Sequence, residues 1–378
     1  MLSWIIENII EEYEREFQNI RLLSYNDRME LMNRKNIKIA VAMSGGVDSS
    51  VAAGLLKEDG YNVIGVTMQL WSGNNSGERC CSVSNIEDAK KVAKQLGIPH
   101  HVLGLQEIFK REIIDNFISE YERGSTPNPC VRCNKLIKFG ALLNKVRELG
   151  ADNIATGHYA RIKIFKGKYL LKKGVDKRKD QSYFLYSLNQ EALSKTIFPL
   201  GDLTKQKVRK LAKKFKLKVA DKEESQEICF VEDDFGKLLS PKEGKIVDLE
   251  GKVIGRHKGY QLYTIGQRRG LGLARKDPAY VLKIDPKSNI LTVGDRGDVY
   301  GDDLIAGDLN WVSGDRTDAP TKVKAKIRYN SPGSEAEILP LSKEKVKVIF
   351  IKPQFAITPG QSVVFYDGDS VVGGGIIQ

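Results

Sequence analysis

Along the 378-residue chain the spacing of hydrophobic positions changes character more than once. Between residue 4 and about residue 34, Ile6, Ile9, Ile10, Tyr13, Phe17 and Ile20 recur at helical spacing, with Glu7, Glu11, Glu14 and Arg15 elsewhere on the wheel. This predicts one or two amphipathic helices docked on their own domain. From Ile37 onward, short apolar runs alternate with helical stretches. The runs are Ile37–Met43, Asn62–Met68, His100–Leu105 and Asn153–Thr156. Val51, Ala52, Leu55 and Leu56 form the first helical stretch, and a capping box, Ser84-x-x-Glu87, opens a second that runs to Leu96 and is closed by Gly97 and Pro99. Strands alternating with helices predict an open, doubly wound parallel sheet, with ligands at the carboxyl ends of its strands. From Ile162 to Lys173, and again from Ile246 to the end, β-branched and aromatic runs alternate with turn residues, so the last third is expected to be all β. A basic helix from Thr204 to Lys216 is expected to close the α/β part.

The junction between the first run and the first helix reads Ser44-Gly45-Gly46-Val47-Asp48-Ser49-Ser50. Two glycines let the backbone turn closely before a helix N-terminus, where unpaired N–H groups and serine hydroxyls converge on one point. That is a cradle for pyrophosphate. The Gly-Lys-Ser/Thr type of phosphate loop occurs nowhere in the chain, nor does a dinucleotide glycine fingerprint follow a strand. The stretch resembles instead the PP-loop of ATP pyrophosphatases, which cleave ATP between the α and β phosphates. The resemblance implies adenylation, with Asp48 helping to hold Mg2+.

Composition narrows the class. With 41% hydrophobic and 29% charged residues the chain is globular, and no long uncharged apolar span could cross a bilayer, so no membrane partner is expected. A formal charge of +12 favours a polyanionic partner, nucleic acid first. Five cysteines and a start lacking a basic leader argue against a disulfide framework and for a cytoplasmic address.

Two of those cysteines carry candidate chemistry. Cys133 lies in Asn128-Pro129-Cys130-Val131-Arg132-Cys133-Asn134-Lys135, where it is expected to open a helix beside Arg132 and Lys135 and so to have a stabilised thiolate. Cys229, in Ser225-Gln226-Glu227-Ile228-Cys229-Phe230, is the expected second thiol. Cys80 and Cys81 fall in a polar loop with no role assigned.

Several further motifs accompany the phosphate loop: Thr126-Pro127-Asn128-Pro129, Ala155-Thr156-Gly157-His158-Tyr159-Ala160-Arg161, Lys179-Asp180-Gln181-Ser182-Tyr183-Phe184-Leu185, Tyr263-Thr264-Ile265-Gly266-Gln267-Arg268 and Thr358-Pro359-Gly360-Gln361. Together, from Ile37 to Gln378, they resemble the tRNA-specific 2-thiouridylases, which replace the 2-oxygen of the wobble uridine with sulfur. The resemblance implies a PP-loop catalytic domain over residues 37–236, a small β-rich domain over 237–300 and a C-terminal β-barrel over 301–378, behind a helical extension of residues 1–36. It assigns ATP binding to Ala42, Met43, Ser44, Gly45, Gly46, Val47, Asp48, Ser49, Met68 and Gly157. Asn128, Pro129 and Cys130 would lie against the target base, and His158, Lys179, Asp180, Gln181, Arg328, Tyr329 and Gln361 would contact the tRNA. Cys133 would be the nucleophile and Cys229 the persulfide carrier, a pair that can be disulfide-bonded, and a protein would donate the sulfur.

The family usually has Asp where Cys130 and Glu224 stand. The extra thiol raises a second expectation: Cys130, Cys133 and Cys229 converging as ligands of a four-iron four-sulfur cluster with one iron open to sulfide. Two rival readings are a PP-loop ligase condensing a small acid, which needs neither paired thiols nor a basic β-rich tail, and a non-catalytic RNA-binding scaffold, which needs no intact Ser44, Asp48, Cys133 or Cys229.

Overall fold

Alternate residues of the first strand are buried on opposite sides. Ile39 and Val41 pack into one apolar core and Ala40 into another, so the strand must be covered on both faces. In the computed structural model, which describes residues 34–70, 83–223, 229–230 and 238–378, this strand is the middle of a parallel sheet. The predicted N-terminal helices, Cys80 and Cys81, and residues 224–228 lie outside the described residues.

The sheet comprises β1 (Lys38–Ala42), β2 (Asn62–Gln69), β3 (His100–Gly104), β4 (Asn153–Ala155) and β7 (Thr196–Ile197), ordered β3-β2-β1-β4-β7 with every pair parallel. One face is covered by helices α1 (Val47–Glu58), α2 (Val83–Leu96) and α8 (Lys205–Lys214), through Val51, Leu56, Val92 and Val208. The other face is covered by α3 (Gln106–Phe109), α4 (Asp115–Glu122), α5 (Pro129–Cys133), α6 (Leu142–Glu148) and α7 (Gln190–Ser194), through Phe109, Phe117, Val131, Leu142 and Leu193. The expected doubly wound architecture is therefore present. The order reverses between β2 and β4 on either side of β1, and that switch point opens the crevice in which such sheets bind ligands. Only the two-residue β7 had no legible signal, being too short to show a period.

Two β units follow. A four-stranded sheet, β8 (Gly244–Val247), β9 (Val253–His257), β10 (Tyr280–Asp285) and β11 (Ile290–Gly294), closes over its own small core around Ile246, Val281 and Leu291. The last six strands are β12 (Tyr300–Trp311), β13 (Thr321–Lys326), β14 (Ser334–Pro340), β15 (Val346–Phe355), β16 (Ser362–Asp367) and β17 (Ser370–Ile377). They form a barrel closed by pairing β12 with β17.

The barrel is joined to the α/β part. The hairpin β5 (Ala160–Phe165) and β6 (Lys168–Lys173) leaves the parallel sheet after β4 and attaches to β17 at Lys172 and Ser370. Arg161 and Lys172 both reach Asp369 at 2.9 Å. Beneath them Tyr183 donates to the Ser362 carbonyl at 2.8 Å and Tyr186 to the Ser362 hydroxyl at 3.3 Å, deep in the core that the two parts share. Among the described residues no helix is long and apolar enough to cross a membrane.

Candidate active site

The loop from Ser44 to Gly46 leaves β1 and enters α1 with Gly45 at φ +71°. Glycine is required there twice over, because a Cβ would also stand 2.3 Å from the Asn85 carbonyl oxygen. The Ser49 hydroxyl receives the Ser44 N–H at 3.1 Å, and the Ser50 hydroxyl donates to the Gly46 carbonyl at 2.8 Å. These bonds hold the loop in shape, while among the described residues no side chain caps the α1 N-terminus. On the far side of the switch point, Gly157 follows β4. A Cβ there would lie 2.7 Å from the Ser49 nitrogen, so only glycine lets the two loops approach this closely.

Asp48, in the first turn of α1, accepts from Lys205 Nζ at both carboxylate oxygens, 2.7 and 2.9 Å, and from the Tyr159 hydroxyl at 2.8 Å. Lys205 is the first residue of α8, whose N-cap is Thr204, as the basic-helix pattern implied. With both oxygens engaged, the carboxylate offers no open ligand set for Mg2+ as arranged. Lys205 and Tyr159 were not singled out from the sequence. A lysine directly after a helix cap is a common surface residue, and nothing local marks it as reaching a loop so far away in the chain.

The cavity over this loop, about 390 Å³, is lined by Ser44, Gly46, Asp48, Met68, Gly157 and His158, and also by Pro129, Cys130, Cys133 and Cys229. The fold therefore brings both predicted thiols to the phosphate loop. Their surroundings differ from expectation. The helix opens at Pro129, capped by the Asn128 side chain accepting from the Val131 N–H at 3.3 Å, so Cys130 lies in its first turn and Cys133 one turn further in, where the helix continues as a π-helical segment, Asn134–Ala141. The basic neighbours of Cys133 are taken up elsewhere, Arg132 by Glu112 at 3.0 Å and Lys135 by Asp308 at 3.5 Å. Cys133 is thus a buried thiol one turn into the helix rather than at its opening, with its two basic sequence neighbours held by carboxylates. Cys229 packs against the same core, next to Phe230, whose ring meets Phe109 at 5.7 Å and Phe117 at 5.2 Å edge-on.

The loop ahead of Cys130 is clamped by both β units. The Thr126 N–H donates to the Pro359 carbonyl at 2.9 Å, and the Gln361 side-chain amide donates to the Thr126 and Pro127 carbonyls at 2.9 and 3.3 Å. Thr126 and Thr264 share a hydroxyl–hydroxyl bond of 2.5 Å. Gly360, at φ +88°, sits so close that a Cβ would meet the Thr126 carbonyl at 2.9 Å. The Thr-Pro-Gly-Gln motif of the barrel thus holds the cysteine loop, an internal task for Gln361 that only the tertiary structure exposes.

Other residues assigned to tRNA also have local partners. Asp180 accepts from the N–H groups of Gly174 and Ser182 at 3.0 and 3.1 Å, shaping its own loop. The Gln181 side chain accepts from the Tyr159 N–H at 3.0 Å and lines the cavity. Lys179 is half-buried in the same loop. Tyr329 stacks on Phe184 at 4.5 Å, beside Arg328, which donates to the Ala356 carbonyl at 2.6 Å. Lys326 lies over the Tyr183 and Tyr329 rings at 5.8 and 5.4 Å, adding a cation to this shelf that sequence reading missed.

Comparison with known proteins supports the resemblance. Residues 37–233 match the family described as tRNA methyl transferase HUP domain, 233–295 the tRNA methyl transferase PRC-barrel domain and 301–377 the aminomethyltransferase beta-barrel domain. The chain is 53% identical over 364 residues to tRNA-specific 2-thiouridylase MnmA 1 of Caldanaerobacter subterraneus subsp. tengcongensis, spanning 93% of this chain and 99% of that protein. It is 50% identical over 355 residues to tRNA-specific 2-thiouridylase MnmA of Clostridioides difficile strain 630, spanning 91% and 98%. This chain belongs to the tRNA-specific 2-thiouridylase family. A more distant solved structure, the U34-tRNA thiolase NcsA from Methanococcus maripaludis with its 4Fe-4S cluster, is 24% identical with a TM-score of 0.34, covering 56% of this chain and 66% of that one.

For a 2-thiouridylase the arrangement of the three cysteines matters. All three are thiols rather than half-cystines, and they line one cavity. Among the described residues, however, no three His, Cys, Asp or Glu side chains cluster as metal ligands. The three-cysteine ligand set expected for an iron–sulfur cluster does not fit this arrangement.

His158 lies in the thiouridylase cavity between the rings of Phe139 and Phe198, its Nδ1 2.6 Å from the Thr156 hydroxyl. Burial, with Lys138 adding to it, holds its pKa well below the ordinary 6.5, so the folded chain keeps it neutral. The unfolded chain takes up that proton first as pH falls. Stability should accordingly decline below about pH 6.5, by up to about 1.4 kcal/mol per pH unit from this residue, levelling off only below its folded pKa. Urea melts at pH 7.5, 6.0 and 5.0 should show a smaller decline for His158→Gln than for wild type. Equal declines would contradict the assignment.

Proposed function

We propose that the chain catalyses ATP-dependent 2-thiolation of the wobble uridine of tRNA. The reading is carried by one observation: the phosphate loop residues Ser44, Gly46, Asp48 and Ser49 line the same cavity as Cys133 and Cys229. The uracil 2-oxygen is a poor leaving group. It attacks the α-phosphorus of ATP, forming a new P–O bond as the α–β bridging bond breaks and pyrophosphate departs. The terminal sulfur of a Cys229 persulfide then adds to C2 and AMP leaves, so that C2 is linked through two sulfurs to Cys229. The Cys133 thiolate attacks the Cys229 sulfur, the S–S bond breaks toward the base, and 2-thiouridine leaves a Cys133–Cys229 disulfide. Alternatively Cys133 releases sulfide from the persulfide and the sulfide attacks C2. A thiol reductant and a sulfur-donor protein restore the starting state.

Within this scheme Ala42, Met43, Gly45, Val47, Met68 and Gly157 shape the nucleotide site, and Asn128, Pro129 and Cys130 border the base. His158, Lys179, Gln181, Arg328 and Tyr329 form the surface offered to the tRNA, with Asp180 and Gln361 shaping the loops beside it. Methyl transfer, which the names of two matched families mention, requires neither a pyrophosphate cradle nor a second thiol.

Pyrophosphate release tests the reading. With ATP and unmodified tRNA the chain should release pyrophosphate and AMP, and with ATP alone or with ATP and a small carboxylic acid it should release neither. Release that needs only the acid would make it a PP-loop ligase, and no release under any condition would make the loop a scaffold.

A further inference from the structure

The phosphate loop contains no basic side chain, yet the leaving group of the proposed reaction carries several negative charges. Loops ending in Gly-Lys-Ser/Thr supply a lysine of their own for the β and γ phosphates. Here Asp48 makes the loop itself acidic, and Lys205 is fully occupied in pairing with that carboxylate. Among the described residues, the cationic side chains lining the cavity are Lys138 and Lys222. Lys138 bears on His158.

Lys222 stands at the loop. Its Nζ donates to the Gly45 carbonyl at 3.3 Å, to the Asn85 side-chain oxygen at 2.6 Å and to Asp88 at 2.7 Å. Asn85 is itself packed on the loop, since its backbone oxygen is what a Cβ on Gly45 would strike. The lysine is thus held by α2 with its ammonium one hydrogen bond from the turn of the phosphate cradle. Of its three bonds the one to Gly45 is the longest, and it is the one a phosphate oxygen can replace without disturbing the other two.

We propose that Lys222 binds the β,γ-phosphates of ATP and stabilises the departing pyrophosphate, standing in for the lysine this loop lacks. The assignment rests on the adenylation reading above. A charge-assisted bond that strengthens as pyrophosphate separates lowers the barrier to its departure. It also discriminates ATP from AMP, because AMP has no β or γ phosphate for the lysine to meet.

The test uses the full chain with tRNA and compares wild type, Lys222→Met and Lys222→Arg. Lys222→Met should release pyrophosphate about 100-fold more slowly. It should bind ATP and inorganic pyrophosphate more weakly in calorimetry, with AMP affinity within about twofold of wild type, and Lys222→Arg should recover most of the rate. If Lys222→Met matches wild type, or loses AMP and ATP affinity alike as a mere tie between α2 and the loop would, the assignment is wrong. Should Lys222→Met fail to fold, Lys222→Gln decides: it can still donate toward Asn85 and Asp88 but removes the charge, so it should lose ATP-over-AMP discrimination, and wild-type discrimination and rate in that variant would overturn the proposal. A wild-type chain that releases no pyrophosphate would overturn the adenylation reading itself.

Discussion

Cys229→Ser protein is expected to release pyrophosphate with ATP and tRNA at close to the wild-type rate while forming 2-thiouridine at least about 1,000-fold more slowly. Serine fills nearly the same volume beside Phe230, so the docking of that ring between Phe109 and Phe117 survives. An alkoxyl oxygen, however, cannot carry a terminal sulfur, and the proposed adenylation precedes any need for one. Cys133→Ser should also stop turnover, but at a different point. If Cys133 completes the transfer, the stalled species is tRNA joined through a disulfide to Cys229. It would be visible as labelled tRNA migrating with protein on a denaturing gel and would be released by a thiol. If Cys133 instead liberates sulfide, thiolation is lost with no adduct. Full thiolation by either variant would remove the paired-thiol mechanism.

Replacing the loop aspartate should strike the earlier step. Asp48→Asn keeps the side-chain volume and one oxygen for Tyr159, yet removes the charge that both oxygens present to Lys205. Lys205 is largely buried, its side chain 14% exposed, and would then face the positive end of α1 without a carboxylate. With the tie from Asp48 to Lys205 weakened, tRNA-dependent pyrophosphate release should fall at least about 100-fold. Truncation to Ala would also remove the acceptor of the Tyr159 hydroxyl and leave a gap beside it, confounding the readout with stability. Circular dichroism should show Asp48→Asn folded. Undiminished pyrophosphate release by that folded variant would end the assignment of the loop.

The local chemistry was legible in the chain itself. Ser44-Gly45-Gly46 between an apolar run and a helical one could only be a tight turn into a helix N-terminus, and the alternation of runs required a parallel sheet covered on both faces. These follow from interactions a few residues long, which spacing records directly. Tertiary structure decided what each long-range partner does. Arg132 and Lys135, the neighbours that mark Cys133 in the sequence, are claimed by Glu112 and Asp308, and only the meeting of distant loops puts Cys133 with Cys229 over the phosphate cradle. Gln361 reads as a surface glutamine of a β-turn, yet the barrel places its amide on the carbonyls of Thr126 and Pro127. Lys205 and Lys222 sit in charged stretches that look like solvated surface, and their ammonium groups end at Asp48 and Gly45. Hydrophobic periodicity specifies which face of an element is buried, whereas the destination of a long polar side chain depends on how whole elements pack, and no local pattern encodes that.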